Sequence, residues 1–366
     1  MQITADTRAK LLAIGWPDDA AARSTLESLP DGRLARVSAQ HRSGYIVATS
    51  IDHEFPAQSL AAWMRPRFPA EERAVVGDWV LLEPANDQIV ELLARRTLLK
   101  RAAAGESYKQ QPIAANIDTV LVVSGLDLDF NPRRLERYLI LVRASGAEPV
   151  LVLTKNDLHP DVDIDALLAD IAAQDVAIHR VNAKDAASVA VLHRYLGPGC
   201  SAVLVGSSGA GKSTLTNTLL GTQKIKTAAV RAHDSRGRHT TTHRALIALP
   251  QGGCLIDSPG MRELKLTGEE KLDEGGFEDI ETLATQCKFS DCKHNSEPGC
   301  AIRSALDSGA LDSARYVNYC KLGGEVAAAA QSLAAQQARR AETRNSDKSN
   351  ATRKAGKRHK DPYSRS

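Results

Sequence analysis

Short runs that alternate apolar and polar positions fill residues 33–101. They are LARVSAQ, GYIVATS, VVGDWVLLE and QIVELL, and glycine, proline and aspartate separate them. Alternation with a period of two is typical of strands with one buried face. This stretch therefore predicts a small β barrel or sandwich.

From about residue 112 the pattern changes to alternating strands and helices. The apolar runs are TVLVVSG, PVLVLTKND, AIHRVNAK and SAVLVGSSGAGKS, with helical stretches over 131–147, near 164–174 and before the last run. This alternation predicts a parallel sheet with helices on its faces. Beyond Gly260 the strand signal fades, and the Ala-rich residues 324–341 favour a helix.

The pattern divides the chain into five predicted parts. They are an N-terminal extension at 1–32, a β barrel at 33–104, an α/β domain at 105–266, a mainly helical domain at 267–340 and a basic tail at 341–366. We expect the polar tail to be disordered in isolation.

Composition supports a multidomain globular protein. Its 366 residues are 43% hydrophobic and 25% charged, with 47 Lys and Arg against 44 Asp and Glu. No apolar run reaches the roughly 18 residues of a membrane span, and the N-terminus lacks a signal-peptide pattern. We therefore expect a cytoplasmic protein, without a membrane partner, whose six cysteines are reduced.

The run GSSGAGKS fits the phosphate-binding pattern GxxxxGK[ST] and lies between an apolar strand and a helix. Its backbone N–H groups and the helix N-terminus suit phosphate oxygens, the lysine suits the β and γ phosphates, and the serine suits Mg²⁺. The alternative is a glycine-rich turn before a helix. The predicted residues are Gly206, Ser207, Ser208, Gly209, Ala210, Gly211, Lys212, Ser213 and Thr214.

Two loops after buried strands predict a guanine site. The first, Thr154, Lys155, Asn156 and Asp157, is a variant of the NKxD pattern with threonine in place of the usual asparagine. The Asp157 carboxylate can accept two hydrogen bonds from guanine, which adenine cannot supply. The second loop is Asn182, Ala183 and Lys184. Taken alone, each is equally an ordinary polar loop.

The run DSPG predicts a second phosphate contact. Asp257 would hold Mg²⁺ through water and the Gly260 N–H would meet the γ phosphate. The polar residues 226–244 have no periodicity and predict a loop, in which one threonine of 240–242 would also bind Mg²⁺; we favour Thr241.

The order of these motifs is unusual. A GTPase normally begins with its phosphate loop and ends with base recognition, whereas here the base motifs come first. The domain is therefore predicted to be circularly permuted, with the usual termini joined near 195–201.

Three cysteines and a histidine form a compact C-x4-C-x-H-x5-C pattern: Cys287, Cys292, His294 and Cys300. Three thiolates and an imidazole are a closed ligand set for one structural Zn²⁺. The alternative is a group of reduced cysteines in a small helical core. Cys320 is a further candidate ligand.

Together, the permuted order, VGDWV at 76–80, QPIAANID at 111–118, GRHTTT at 237–242, DSPG and the Cys3His spacing resemble the RsgA (YjeQ) family. The resemblance covers about residues 33–320. It implies an OB fold at the N-terminus and a GTPase, acting with GTP/GDP and Mg²⁺, that binds 16S rRNA and assists late maturation of the small ribosomal subunit. It also implies slow hydrolysis stimulated by the subunit, release of another assembly factor, and a monomer.

The resemblance further assigns His239 as the histidine that assists catalysis. Met261 stands where Ras-type enzymes place the glutamine that orients water. Arg236 and Arg238 would stabilise transition-state charge or contact rRNA. The alternative for His239 is a solvated loop histidine. Two other functions stay open: a GTP-switched RNA-binding module with negligible turnover, and a P-loop kinase, which Asp157 opposes.

The net charge of +3 is an average over two unequal parts. Residues 339–366 hold ten Lys and Arg against three acidic residues, a net +7, so the rest of the chain carries −4. The basic segment would be an rRNA-binding arm or a solubilising tail. Deleting 343–366 should weaken subunit binding and flatten its salt dependence if it is an arm.

Overall fold

The computed structural model describes residues 4–41, 44–65, 68–102, 110–127, 130–155, 163–172, 174–222, 245–257 and 265–358. Two helices form the N-terminal extension, α1 (Ala5–Ala13) and α2 (Ala20–Ser28). Thr4 and Asp19 cap them, because each side chain accepts a hydrogen bond from a first-turn N–H group. Buried Leu11 packs this extension against the body of the protein.

Five strands form the predicted barrel. They are β1 (Arg33–His41), β2 (Gly44–Ser50), β3 (His53–Ala57), β4 (Trp79–Leu82) and β5 (Ile89–Leu92), with single 3-10 turns at Ala61–Met64 and Ala70–Glu72. β1 lies between β2 and β4, β3 pairs with β2, and β5 pairs with β4. A parallel bridge from Gln58 to Gln88 closes the barrel. This is the five-stranded order of an OB fold.

A two-stranded hairpin, β6 (Leu98–Ala102) and β7 (Gln110–Ala115), follows the barrel. The predicted domain boundary at residue 104 therefore falls between the two strands of one hairpin. The domain boundaries stay predictions.

The α/β domain contains the predicted sheet and helices. They are β8 (Thr119–Gly125), α3 (Pro132–Ala144), β9 (Glu148–Thr154), α4 (Ile164–Ala172), β10 (Ala177–Arg180), α5 (Ala186–Val189) with a 3-10 continuation Ala190–Tyr195, β11 (Ser201–Val205), α6 (Lys212–Leu220), β12 (Ala245–Ala248) and β13 (Cys254–Asp257). The strand order is β10-β9-β8-β11-β13-β12, and every neighbouring pair except β13 and β12 is parallel.

The central strand β8 is buried along its whole length. Val120 and Val122 face a core that includes α3 and α4, whereas Leu121 and Val123 face a second core with α6. A strand buried on both faces has no polar alternation, which is why TVLVVSG is almost continuously apolar. The carboxyl ends of these parallel strands meet at one edge of the sheet, where ligands bind in such folds.

The barrel and the α/β domain share one eleven-stranded sheet. β12 pairs with β1 through Ala245 and Ala39. Beside this junction lies Arg36, whose guanidinium is fully buried and donates to the carbonyl oxygens of Ile14, Gly77 and Asn116 and to Ser201 Oγ. One side chain thus joins the N-terminal extension, the barrel and the sheet.

The C-terminal part is helical, as predicted. It contains a short helical turn at Asp273–Phe277, then α7 (Glu278–Thr285), α8 (Ala301–Ser308) and α9 (Ser313–Arg358). The predicted disorder from residue 341 differs from the structure, in which α9 continues to Arg358. Residues 341–358 contain no proline and are rich in helix-forming Ala, Lys and Arg. Within the described part of the chain, no helix has both the length and the apolar character of a membrane span.

Candidate functional site

The phosphate loop connects β11 to α6 with the geometry that its glycines permit. Gly206 has φ 140°, and a Cβ there would lie 2.0 Å from the carbonyl oxygen of Val123. Gly211 caps α6 in the left-handed conformation with φ 94°. The loop can therefore bend closely over the sheet and present backbone N–H groups at the start of α6, as phosphate binding requires.

Two charged groups lie beside this loop. Lys212 Nζ donates to the carbonyl oxygens of Gly206 at 2.7 Å and Ser207 at 2.5 Å. Asp257 ends β13, the strand next to β11; burial raises its pKa, and the charge of Lys212 opposes that shift. An ammonium and a carboxylate at one strand edge are the groups that hold phosphate and Mg²⁺ in P-loop proteins.

The other predicted phosphate-loop residues line the same bend. Ser208 and Gly209 are exposed, Ala210 is buried, and Ser213 and Thr214 are half-buried in the first turn of α6. The exposed tip and the half-buried hydroxyls therefore face the accessible side of the sheet edge.

Thr154 joins the first base loop to the phosphate loop. Its side chain is fully buried, and Oγ1 donates to the carbonyl oxygen of Ala210 at 2.7 Å. A Cβ on Gly211 would lie 3.3 Å from the same Oγ1. The threonine that replaces the usual asparagine therefore braces the phosphate loop directly.

Lys155 follows in the left-handed conformation with φ 60°. Its Nζ donates to Asp127 Oδ2 at 2.6 Å. Asp127 was not predicted from the sequence. It could have been found from topology, because β8 ends at Gly125, opposite Thr154 in the parallel ladder, and the residues after both strands fall at the same edge.

The second base loop is attached to α6. Asn182 Oδ1 accepts a hydrogen bond from the Lys184 N–H at 3.1 Å, which closes a tight turn. The Ala183 carbonyl oxygen accepts from Thr218 Oγ1 at 2.6 Å, and Thr218 lies on α6. The first base loop thus contacts the phosphate loop itself, and the second contacts α6, the helix that follows that loop.

Five predicted site residues lie outside the described part of the chain, and their roles stay predictions. They are Asn156, Asp157, His239, Thr241 and Gly260.

The predicted metal ligands Cys287, Cys292, His294 and Cys300 converge, with all four ligand atoms within 4.8 Å of one another. His294 Nδ1 lies 3.5 Å from the sulfurs of Cys287 and Cys300, which are 3.9 Å apart. Zn²⁺ bonds are about 2.3 Å to sulfur and about 2.1 Å to nitrogen. In a tetrahedral site these lengths require a nitrogen–sulfur distance of about 3.6 Å and a sulfur–sulfur distance of about 3.8 Å. The residues therefore fit a tetrahedral zinc ion. Cys320 lies exposed on α9 and is not in this group.

The surroundings act differently on two of the thiol ligands. Burial and the nearby Cys300 and Cys287 raise the pKa of Cys292 to about 11, whereas the pKa of Cys287 is lowered. Desolvation would raise the pKa of Cys287, but hydrogen bonds from the N–H groups of Ala301 and Ile302 at the start of α8, together with those involving Cys300 and Cys292, lower that pKa. Between the ligands, the Glu297 carboxylate accepts hydrogen bonds from the N–H groups of Lys293, Asn295 and Ser296, which lowers its pKa to about 2. The ligand loop is thus held by its own chain as well as by any bound ion.

The sheet order and the order of the motifs define the class of the protein: a circularly permuted P-loop GTPase, preceded by an OB barrel and followed by a Cys/His module. The model of the RsgA GTPase family matches residues 92–267.

Comparison with known proteins identifies the family. A small ribosomal subunit biogenesis GTPase RsgA of Xanthomonas axonopodis pv. citri is 61% identical over 330 residues, which are 88% of this chain and 90% of the relative. The homologue from Xanthomonas oryzae pv. oryzae is 60% identical over 331 residues, with the same coverage. The chain belongs to the RsgA GTPase family.

Two solved structures share the fold. YjeQ from Thermotoga maritima has a TM-score of 0.58 and 25% identity, over 80% of this chain and 98% of that one. YloQ, described as a circularly permuted GTPase, has a TM-score of 0.54 and 25% identity, over 81% and 95% of the two chains. Each likeness covers about four fifths of this chain and nearly all of the solved one.

Proposed function

We propose that the protein hydrolyses GTP on the small ribosomal subunit and thereby times its own departure during late maturation. The observation that carries the proposal is the hydrogen bond from Thr154 to the Ala210 carbonyl oxygen, which joins the predicted base loop to the predicted phosphate loop. The names of relatives at 61% identity support the ribosomal role.

In this proposal the GTP phosphates lie against the N–H groups of 206–214, with Lys212 at the β and γ phosphates. Ser213, Thr241 and Asp257 hold Mg²⁺, Gly260 meets the γ phosphate, and Asp157 selects guanine. When bound there, Mg²⁺ would supply positive charge next to the phosphates, on which negative charge develops. Lys212 Nζ donates to two carbonyl oxygens of its own loop, and this position of the ammonium suits the role.

The four ligands of the Cys/His module would hold one structural Zn²⁺. We propose the cytoplasm as the location, and 16S rRNA and other small-subunit assembly factors as partners of a monomer. The OB barrel and the basic end of α9 would supply the RNA contacts, because neutralising phosphates with Lys and Arg stabilises such complexes.

The proposal is tested by phosphate release from GTP with and without purified small subunits. We expect slow turnover alone and a clear increase with small subunits, but not with large subunits. Lys212→Ala is the control and should remove the activity. A rate no higher than this control under all conditions would favour a GTP-switched RNA-binding module, and a preference for ATP in competition would favour a kinase.

We propose that His239 assists the attack of water. His239→Ala should leave GTP affinity nearly intact and lower subunit-stimulated turnover at least about tenfold, since positioned acid–base groups contribute that much or more. His243→Ala, in the same polar stretch, is the matched control. An unchanged stimulated rate for His239→Ala would refute this role.

A further inference from the structure

We propose that Asp127 is a positioning residue of the nucleotide site, which fixes Lys155 so that the methylene stem of the lysine forms one wall of the base pocket. The inference deepens the proposed guanine-nucleotide function and rests on it. It concerns a residue outside the nucleotide-binding motifs, brought to them by the sheet.

The loop after β8 places Asp127 at the base-binding edge. β8 and β9 run parallel, with Gly125 opposite Thr154. The Leu126 N–H donates to the Thr154 carbonyl oxygen at 2.8 Å, so the two strand ends stay joined beyond the ladder. The Phe130 N–H then donates to the Asp127 carbonyl oxygen at 2.8 Å. Asp127 therefore has a defined position relative to the first base loop.

The ion pair fixes both ends of the lysine side chain. Lys155 begins in a left-handed backbone position at the end of β9, and its ammonium lies 2.6 Å from Asp127 Oδ2. The two side chains are only 33% and 25% exposed, so water screens the pair less than it would a surface pair. The stem between these two anchored ends cannot turn freely into solvent.

Gly125 shows where the stem runs. A Cβ at Gly125 would lie 3.2 Å from both Lys155 Cδ and Asp127 Oδ2. Lys155 Cδ and the carboxylate therefore lie side by side in the space that a side chain at position 125 would occupy. A lysine stem that lies flat offers apolar surface to a planar base, because such side chains bury their methylenes and keep the charged end apart.

The neighbouring lysine has a different anchor. Lys212 donates to two carbonyl oxygens of its own loop, whereas Lys155 pairs with a carboxylate. The Asp127 carboxylate thus offsets the positive charge of Lys155. The lysine whose charge acts on the nucleotide phosphates is then Lys212. The inference therefore predicts that an effect of Asp127 on nucleotide binding passes through Lys155.

A double-mutant cycle on GDP binding tests the inference. Asp127→Asn should weaken GDP binding about three- to tenfold and leave kcat at saturating GTP within about twofold. Asp127→Glu should recover part of the affinity. Lys155→Met keeps the stem without the charge, and adding Asp127→Asn to it should cause no further loss. Asp165→Asn removes an exposed ion pair with Arg180 in the same domain and should leave GDP affinity unchanged.

Two outcomes would overturn the inference: wild-type affinity in Asp127→Asn, or losses from the two single changes that multiply in the double variant. A third outcome would also overturn it. If the unfolding midpoint falls equally in all Asp127 variants and the loss of GDP affinity does not depend on Lys155, Asp127 has a role in folding only. A wild-type protein that fails to bind GDP would instead refute the proposed function, so the two failures are distinguishable.

Discussion

The hydroxyl of Thr154 donates the hydrogen bond that joins the first base loop to the phosphate loop. Thr154→Val removes Oγ1 and keeps the β-branched shape that suits the end of a buried strand. The Ala210 carbonyl oxygen then loses a donor at 2.7 Å, at a place where both residues are buried. Losing the donor to a buried polar group costs about 1 to 3 kcal/mol.

This cost divides between nucleotide affinity and folding stability. If the loop relaxes in the nucleotide-free protein, bound nucleotide must restore its shape and GDP affinity falls. Because each 1.4 kcal/mol is a tenfold change in affinity, the whole cost corresponds to a loss of about fivefold to about 150-fold. If the loop does not relax, the free energy of unfolding falls by the same amount. Fluorescent GDP titration and urea unfolding measure the two parts, and Thr154→Ser is the control that keeps the hydroxyl. A valine variant that matches wild type in both measurements would refute the bracing role.

Two further predictions concern the C-terminal helices. Chelation should release one zinc ion per chain, and more readily as pH falls, because protons compete with the metal for the thiolates and the neutral imidazole. A zinc-sensitive dye measures the release. Protein that is free of metal after purification without chelator would contradict this prediction. Arg315→Met should lower the free energy of unfolding by about 1 to 3 kcal/mol, because the buried Glu136 carboxylate would lose one charged partner at 2.9 Å and keep Arg133 and Asn318. Lys271→Met, which breaks an exposed pair with Glu274, is the control, and equal effects of the two changes in urea unfolding would show that the buried network is not special.

The permuted domain was predictable because its signals are local. Three segments follow one another directly in the sequence: the buried strand, the glycine-rich loop and the start of the helix. The residue types of each segment explain on physical grounds why it forms that structure. The Cys3His group was predictable for the same reason. Its ligands span only 14 residues, and this short spacing alone keeps the four side chains close enough to bind one metal ion. The structure added the geometry of these sites and left their assignment as before.

Contacts between distant segments could not be predicted in this way. Arg36 is one of 47 basic residues, and nothing in its neighbours marks it as fully buried. Burial lowers the pKa of its guanidinium, and three carbonyl groups from distant segments compensate the lost hydration. The pair between Asp127 and Lys155 is non-local too, and only the parallel ladder brings its members together.

The tail shows two physical effects in competition. High charge and few apolar residues predicted disorder from residue 341, whereas ten of the 18 residues at 341–358 are Ala, Glu, Lys or Arg, which favour the continuation of an existing helix. Extending a helix avoids the cost of nucleating one, because each added residue contributes a hydrogen bond once the first turns exist. The Ala-rich start of α9 therefore decides the conformation of the basic residues that follow.

The permutation gives that helix a direct connection to the nucleotide site. Residues 258–264 link Asp257 to a segment that α9 contacts closely: a Cβ on Gly268 would lie 2.3 Å from the Ala330 nitrogen. Glu270 binds the N–H groups of Thr267 and Gly268, and Lys100 of the β6–β7 hairpin pairs with Glu269 at 2.7 Å. The segment after DSPG is thus fixed on one side to the hairpin and on the other to α9. A change at the γ phosphate that moves this segment must either strain these close contacts or move α9 with it, because packed backbone contacts do not deform continuously.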